Sequence, residues 1–146
     1  MKLLASGWAF WALLSAAFAA LTAIFAKVGV ANVNSDFATF LRTLVVIVAL
    51  AAILTAFGEW RPLGSISART YLFLTLSGLA TGASWLCYFR AMQLGDAAKV
   101  APIDKLSVAL VAMFGASFLG ERLSAINWLG VALITAGAIF AAYKGG

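Results

Sequence analysis

The sequence predicts an all-α integral membrane protein, a bundle of five transmembrane helices, from three observations. The 146-residue chain is 64% hydrophobic and only 10% charged, against about 25% charged residues in a typical soluble domain. Its mean hydropathy is +1.04, which leaves too little polar surface to cover a water-soluble globule. The apolar residues also fall into five runs, each close to the roughly 20 residues that a helix needs to cross a bilayer.

The first predicted span covers about 3–26, and its small residues recur at helical spacing. Ala12, Ala16 and Ala20 form one stripe, which lets helices approach closely in lipid. The N-terminal lysine and the small residues around Ser15 also resemble a secretory signal peptide. Because the apolar run exceeds the roughly 7–15 residues usual in a signal peptide, a transmembrane helix is the favoured interpretation.

The second predicted span covers about 36–58 and contains an arginine. Ser35 or Asp36 is expected to cap its N-terminus, since both side chains can accept hydrogen bonds from the first helical turn. Arg42 follows Asp36 by six residues, which places it about 9 Å along the helix at ~1.5 Å per residue. The segment after the span is rich in serine with Pro62, and reads as a solvated connector.

The third predicted span covers about 70–92 and contains a GxxxG pair, Gly78 and Gly82. This pair is typical of close helix packing and indicates no chemistry of its own. The connector at 93–96 is very short, so the third and fourth spans are predicted to be antiparallel neighbours. The tryptophans, Trp85 among them, indicate an aromatic belt rather than a site.

The fourth and fifth predicted spans cover about 97–119 and 125–143, and the five spans make one domain over residues 1–146. Pro102 lies in the first two turns of the fourth span, where its missing N–H is more easily tolerated. Asp104 and Lys105 lie about 10 Å along this helix, measured from its predicted start near Ala97 at ~1.5 Å per residue. Ionisable groups at such depth are costly and usually face a bundle interior or a wet cavity.

The candidate binding site is a group of ionisable residues on the second, third and fourth spans: Arg42, Arg90, Asp104 and Lys105. Three cations and one carboxylate would form a positive vestibule for an anionic or zwitterionic small molecule. Asp104 would pair with Arg42 or Lys105, or exchange a proton during transport. In the structural alternative Asp104 only fixes helix register and Arg90 reaches the headgroups. That alternative is favoured for Arg90 taken alone.

Composition excludes several other functions. The net charge of +5 with no histidine fits basic residues that flank membrane spans and meet anionic lipid, so nucleic acid is not an expected partner. One cysteine, Cys87, rules out an intramolecular disulfide and a cysteine metal cluster. We therefore expect no metal, cofactor or catalytic residue, and the absence of a Walker A sequence leaves an ion gradient as the energy source.

The orientation of the chain is left open by its charges. Basic residues divide four against six between the two sides of the membrane, and four against four once Arg42 and Lys105 are set aside. The positive-inside rule then favours neither orientation. Insertion both ways round would allow an antiparallel homodimer, the two-chain equivalent of an inverted repeat. In the other interpretation, one orientation is set by other signals.

Several motifs together resemble a known family. The most specific is the Gly-Glu-Arg-Leu segment at 120–123, followed by a Trp-Leu-Gly-x-x-Leu-Ile-x-x-Gly run that starts at Trp128. Weaker motifs are Gly-Asp-Ala-x-x-Val-Ala-Pro at 95–102 and the stretch from Gly82 through Tyr88 to Ala91. Nearly the whole chain resembles one EamA domain of the drug/metabolite transporter superfamily.

The resemblance implies a half-size secondary transporter. Most such proteins resemble two EamA domains in tandem, so one domain implies a dimer with the solute path between two copies in the cell inner (plasma) membrane. Ile103-Asp104-Lys105 is more charged than the usual apolar residues after that proline, which suggests a specialised ligand. Small multidrug exporters are a less fitting relative, because their first-span glutamate has no counterpart in 3–26.

Two other functions compete with transport. A membrane assembly or scaffold subunit would use the small-residue faces to dock a larger protein, and would have little need for ionisable residues inside its spans. An intramembrane enzyme would need a nucleophile and a base in contact. The chain offers one cysteine, no histidine, and Asp104 beside Lys105, so an enzyme is not expected.

Overall fold

The computed structural model describes residues 7–143, and every regular element in that range is helical. Five segments are long and apolar enough to span a membrane, one of them being Ala97–Phe118. The predicted all-α membrane fold is confirmed, although the predicted start of the first span lies outside the described residues. The helices are α1 (Trp8–Gly29), α2 (Ser35–Phe57), α3 (Ala68–Leu94), α4 (Ala97–Asp104), α5 (Ser107–Phe118) and α6 (Ala125–Ala142), with a 3₁₀ turn at Leu63–Ser65.

The chain forms two compact units. The central unit is Ala26–Gln93 and holds the last turn of α1 together with α2 and α3. The terminal unit combines Met1–Phe25 with Leu94–Gly146, and its described part holds the rest of α1 with α4, α5 and α6. Large apolar side chains are exposed in both units, as expected of helices that are hydrophobic on all sides and face lipid.

The N-terminus of α2 is capped one residue earlier than the sequence predicts. The Asn34 side chain accepts hydrogen bonds from the backbone N–H groups of Asp36, at 2.9 Å, and Phe37, at 3.2 Å. Ser35, one of the two predicted caps, is fully buried and its Oγ donates instead to the Asp36 carboxylate at 3.2 Å. The cap therefore falls to the exposed asparagine, a residue type that serves this position well.

The core of the central unit lies near the start of α2 and the end of α3. Val30, Phe89 and Met92 are at most 3% exposed, and Ser35 and Thr39 are buried with them. The GxxxG pair of α3 takes no part in this core, because a Cβ placed on either glycine would meet no side chain of the central unit within 4 Å. The close packing predicted for that face of α3 does not occur inside this unit.

The fourth predicted span is one membrane-length segment, but its helix is interrupted. α4 ends at Asp104 and α5 begins at Ser107, where a continuous helix was predicted. Lys105 N donates to the Pro102 carbonyl and Leu106 N to the Ile103 carbonyl, both at 3.0 Å, so the backbone tightens into i→i+3 bonds. Pro102 lies shortly before this interruption, and it removes the helical N–H that would bond to the Ala98 carbonyl.

The exit from α5 explains the Gly-Glu-Arg-Leu motif. Gly120 has φ +68°, a left-handed conformation that costs other residues roughly 1–2 kcal/mol. This turn lets the backbone N–H of Glu121 bond to the Gly115 carbonyl at 3.1 Å. The Glu121 carboxylate folds over Gly115, where a Cβ would lie 2.6 Å from Oε2. Within the terminal unit α4 and α5 both pack against α6.

Candidate functional site

Arg42 on α2 has its guanidinium group over an aromatic side chain of α3. The guanidinium carbon Cζ is 3.9 Å from the centroid of the Trp85 ring and 5.4 Å from the centroid of the Phe89 ring. Both distances lie within the roughly 6 Å over which an aromatic face attracts a cation. The Arg42 side chain is therefore held by two rings inside the central unit.

The local sequence explains how α3 presents two rings to one arginine. Trp85 and Phe89 are four residues apart, so they lie on one face of α3, one turn from each other. Arg42 and Trp85 also lie at similar separations from the connector between α2 and α3. Helices joined by a short connection run antiparallel, and residues at matching separations then lie at the same depth.

One nitrogen of this guanidinium is buried without an acceptor. Nη1 of Arg42 has no hydrogen-bond partner in the part of the chain that the structure describes. The ion pairs of that part join Lys99 to Asp96 and Lys105 to Asp104, so no carboxylate there neutralises Arg42. A buried unsatisfied donor costs about 1–3 kcal/mol, and more when it is charged. An oxyanion that supplied the acceptor would remove this cost.

One side of α2 near Arg42 carries hydroxyl groups. Ser35, Thr39 and Thr43 recur every four residues. Ser35 and Thr39 lie on the same side of the helix as Arg42, two turns and one turn before it, whereas Thr43, its neighbour in sequence, points about 100° away. Thr39 Oγ1 donates to the Ser35 carbonyl and Thr43 Oγ1 to the Thr39 carbonyl, both at 2.8 Å. The two threonine protons are thus satisfied within α2, while the remaining oxygen lone pairs keep this face polar as far as the guanidinium.

Arg90 does not share the position of Arg42. Phe89, its neighbour in sequence, is buried against the central core, whereas Arg90 is exposed. Successive residues of an α-helix point about 100° apart, so Arg90 leaves α3 in a different direction from the ring that faces Arg42. The central unit therefore offers one buried guanidinium and not a pair.

Asp104 and Lys105 pair with each other. Lys105 Nζ is 3.3 Å from Asp104 Oδ2, and the side chains are 55% and 37% exposed, respectively. Lys105 is thus the partner found for Asp104, one of the two that the sequence left open. The pair stands where α4 gives way to α5, and broken helices of this kind are where transporters often place substrate and ion contacts.

Two further side chains link the ends of α1 and α3, and the sequence analysis assigns them no role. Lys27 Nζ donates to the Met92 carbonyl at 2.8 Å, while Gln93 Nε2 donates to the carbonyls of Val30 and Val33 at 3.1 and 2.6 Å. Lys27 of α1 thus satisfies a carbonyl at the C-terminus of α3, and Gln93 of α3 satisfies carbonyls just beyond the C-terminus of α1. Both helix ends carry the negative end of a helix dipole. We call this arrangement the Lys27–Gln93 clasp. It borders an open pocket of about 350 Å³.

Sequence reasoning missed the aromatic partners of Arg42. From the sequence, Trp85 was assigned to the aromatic belt with the other tryptophans, and Phe89 was given no role. A usable signal was present: two aromatic residues spaced by four on one span, opposite a neighbouring span with an arginine that lacks a nearby carboxylate. The clasp had no comparable signal, because lysine and glutamine near helix ends are common.

Comparison with known proteins assigns the family. The profile of the EamA-like transporter family matches residues 6–143, so the chain belongs to that family. A relative from Sinorhizobium sp., named as an uncharacterized transporter in the cobO 3' region, is 65% identical over 139 residues, covering 95% of this chain and 99% of the relative. No solved structure gives a significant match. Together these findings point to a multi-pass membrane transporter rather than an enzyme.

Proposed function

We propose that the chain is a half-size secondary transporter of a small anionic or zwitterionic metabolite, acting as a homodimer in the cell inner (plasma) membrane. The family and the name of the relative support transport. The match covers 99% of that relative, which is in keeping with the half-size transporter proposed here. The observation that carries the solute class is the buried Nη1 of Arg42, which lacks an acceptor in the described chain.

The surroundings of Arg42 favour binding of an anion. The residue lies about 10 Å from the start of α2 at ~1.5 Å per residue, where the low dielectric strengthens charge attraction. Trp85 and Phe89 already hold the guanidinium in place, so less conformational freedom is lost when a ligand binds. Access would alternate between the two sides by rocking of packed helices around this position.

The other charged candidates have supporting roles in this proposal. Asp104 and Lys105 form a second polar position at the α4–α5 break, where Asp104 would exchange a proton or release its partner during the transport cycle. Arg90 is exposed, and attracts anions toward the entrance of the path. Arg42 is expected to contribute most to solute affinity, since it is the cation whose donor is buried and unsatisfied.

The experiment that tests this function is uptake into proteoliposomes. Purified protein is reconstituted and assayed with radiolabelled lactate, glutamate and alanine under an imposed ion gradient. Arg42→Gln should lower uptake by about tenfold or more, because it removes the charged contact. Arg61→Gln, in the exposed connector after α2, is the matched control and should retain uptake. Normal uptake by Arg42→Gln would contradict the site, and failure of all three solutes would contradict the function.

The homodimer is a linked proposal with its own test. The open Gly78 and Gly82 face of α3 is consistent with contact to a second copy. In a Cys87→Ser background, single cysteines replace Asn32 and Ser65, which flank α2 on either side, and intact cells are labelled with a membrane-impermeant maleimide. Partial labelling of both sites supports two orientations and an antiparallel dimer. Labelling of one site alone would exclude that dimer.

A further inference from the structure

We infer that Trp85 is a positioning residue that makes Arg42 selective for a single carboxylate. The transported solute would then be a monocarboxylate, or a zwitterion whose only anionic group is a carboxylate. This inference deepens the proposed function and rests on it. It starts from the way in which the guanidinium and the ring meet.

The contact with Trp85 is short enough for the guanidinium to stack on the ring by its face, an arrangement that leaves its edge available. With Cζ 3.9 Å from the ring centroid, the guanidinium is in van der Waals contact with the indole face. The N–H donors of arginine lie in the plane of the group, where they form a rigid fork that matches two oxygens of one anion. Stacking therefore fixes the direction of the fork without consuming its donors. The buried, unpartnered Nη1 is part of that fork.

The charges of the central unit favour a monoanion over a dianion. Arg42 is the cation beside this position, since Lys27 donates to the Met92 carbonyl and Arg90 is exposed on another face of α3. One guanidinium neutralises one negative charge. A second negative charge taken into the same apolar surroundings would lack a partner, and burial of an unpaired charge is strongly unfavourable. Charge balance thus favours a monoanion over sulfate-like dianions, and a carboxylate is a monoanion whose two oxygens match the fork.

The threonine hydroxyls of α2 near Arg42 offer an anion no free proton. The hydroxyl protons of Thr39 and Thr43 bond to carbonyls of α2, and Trp85 and Phe89 present ring faces to the guanidinium. An incoming carboxylate would therefore bind through the fork of Arg42, and the Trp85 ring would hold that fork in the right direction. Removal of the ring face should weaken binding even though the charge remains.

The test measures binding through the fluorescence of Trp85 in purified protein. Acetate, sodium sulfate and methylammonium chloride serve as probes at constant ionic strength. Acetate should change the emission saturably, whereas sulfate and methylammonium should not. A response to sulfate equal to or stronger than the response to acetate would overturn the inference. Trp85 is left as the single tryptophan by replacing the other four with phenylalanine: Trp8, Trp11, Trp60 and Trp128.

Variants separate a positioning role from a structural one. Arg42→Lys keeps the charge but loses the fork and most of the stacking, so acetate should bind about tenfold more weakly or worse. Trp85→Leu should weaken acetate binding by a similar factor, while Trp85→Phe, which keeps a ring face, should restore it to within about threefold of the parent. Binding by the Trp85 variants is measured by calorimetry in the chain that keeps its other tryptophans. Trp60→Phe in that same chain, on the exposed connector, is the control.

The acetate affinity of folded variants is the decisive readout, and thermal unfolding of each variant checks that it is folded. A fall in acetate affinity for a folded Trp85→Leu variant, together with its recovery in Trp85→Phe, supports the inference. An unchanged acetate affinity in either Trp85→Leu or Arg42→Lys overturns it. Failure of the inference and failure of the proposed function remain distinguishable: acetate binding without uptake in proteoliposomes contradicts transport alone, whereas uptake that is indifferent to Trp85→Leu contradicts the positioning role alone.

Discussion

Arg42 in the central unit and Lys105 in the terminal unit are both cations within predicted spans, but their surroundings differ. Lys105 pairs with the adjacent Asp104 at 3.3 Å, at an interrupted helix, and is 55% exposed. Arg42 lies in an uninterrupted helix, packs on Trp85 and Phe89, and buries one nitrogen that has no acceptor among residues 7–143. The charge of Lys105 is neutralised by its sequence neighbour. The guanidinium of Arg42 is held by two rings far along the chain, and one of its donors has no acceptor among the described residues.

This difference is the reason for proposing Arg42, and not Lys105, as the main contact of a bound solute. A charge that is already neutralised by a neighbour has little to gain from a ligand. A charge that is fixed in position but lacks an acceptor gains both an ion pair and a hydrogen bond. Asp104 and Lys105 share one sequence-predicted candidate site with Arg42, and the proposed function assigns the larger contribution to Arg42.

The largest expected effect is the loss of uptake on removal of the Arg42 charge, compared with removal of the Lys105 charge. Arg42→Gln should lower carboxylate uptake by about tenfold or more, and Lys105→Gln by less than about threefold, because Asp104 is partly exposed and tolerates the loss of its partner. Both variants are assayed in proteoliposomes at matched protein content. Equal losses would show that the α4–α5 break contributes as much to binding as Arg42 does.

A second prediction concerns the clasp of the central unit. Lys27→Met should lower the free energy of unfolding by about 1–2 kcal/mol, because the partly buried Met92 carbonyl loses the ammonium donor that Lys27 supplies. Thermal unfolding in detergent measures the change. Lys99→Met is the matched control, since Lys99 forms an exposed pair with Asp96 at 3.6 Å and such pairs contribute about 0–1 kcal/mol. A shift no larger than that of the control would contradict the clasp.

A third prediction tests the exit of α5 in the terminal unit. Gly120→Ala should destabilise by about 1 kcal/mol, because alanine is strained at positive φ. Gly115→Ala should cost less, since the added Cβ meets Oε2 of Glu121, the far end of a flexible side chain that can move away. Thermal unfolding of both variants gives the order. A larger loss for Gly115→Ala would mean that the Glu121 carboxylate is held rigidly in place.

The smallest expected effect is the coupling between Asp104 and Lys105. A double-mutant cycle with alanine at both positions should give a coupling free energy below about 1 kcal/mol, because both side chains are more than one-third exposed. Unfolding of the parent, the two single variants and the double variant supplies the four values. A coupling above about 2 kcal/mol would place the pair among strongly desolvated ion pairs and would narrow its difference from Arg42.

Much of the fold could be predicted because each step rested on local features. Apolar runs of membrane length predict the helices, and the glycine at 120 predicts the exit of α5. The interruption after Pro102 was missed because a proline near a helix start is usually tolerated. The cap of α2 is Asn34 and not Ser35 or Asp36 because the helix begins one residue earlier than predicted, so that both predicted caps lie within its first turn.

The sequence by itself determined that this protein spans the membrane with five apolar segments and that charged residues lie within some of them. Both follow from counting residues against the thickness of a bilayer. Only the tertiary structure decided that Arg42 meets Trp85 and Phe89 and that Lys27 and Gln93 cap each other's helices. The reason is that such contacts depend on which helical faces meet, and a nearly uniform apolar surface does not encode those faces in its hydropathy pattern.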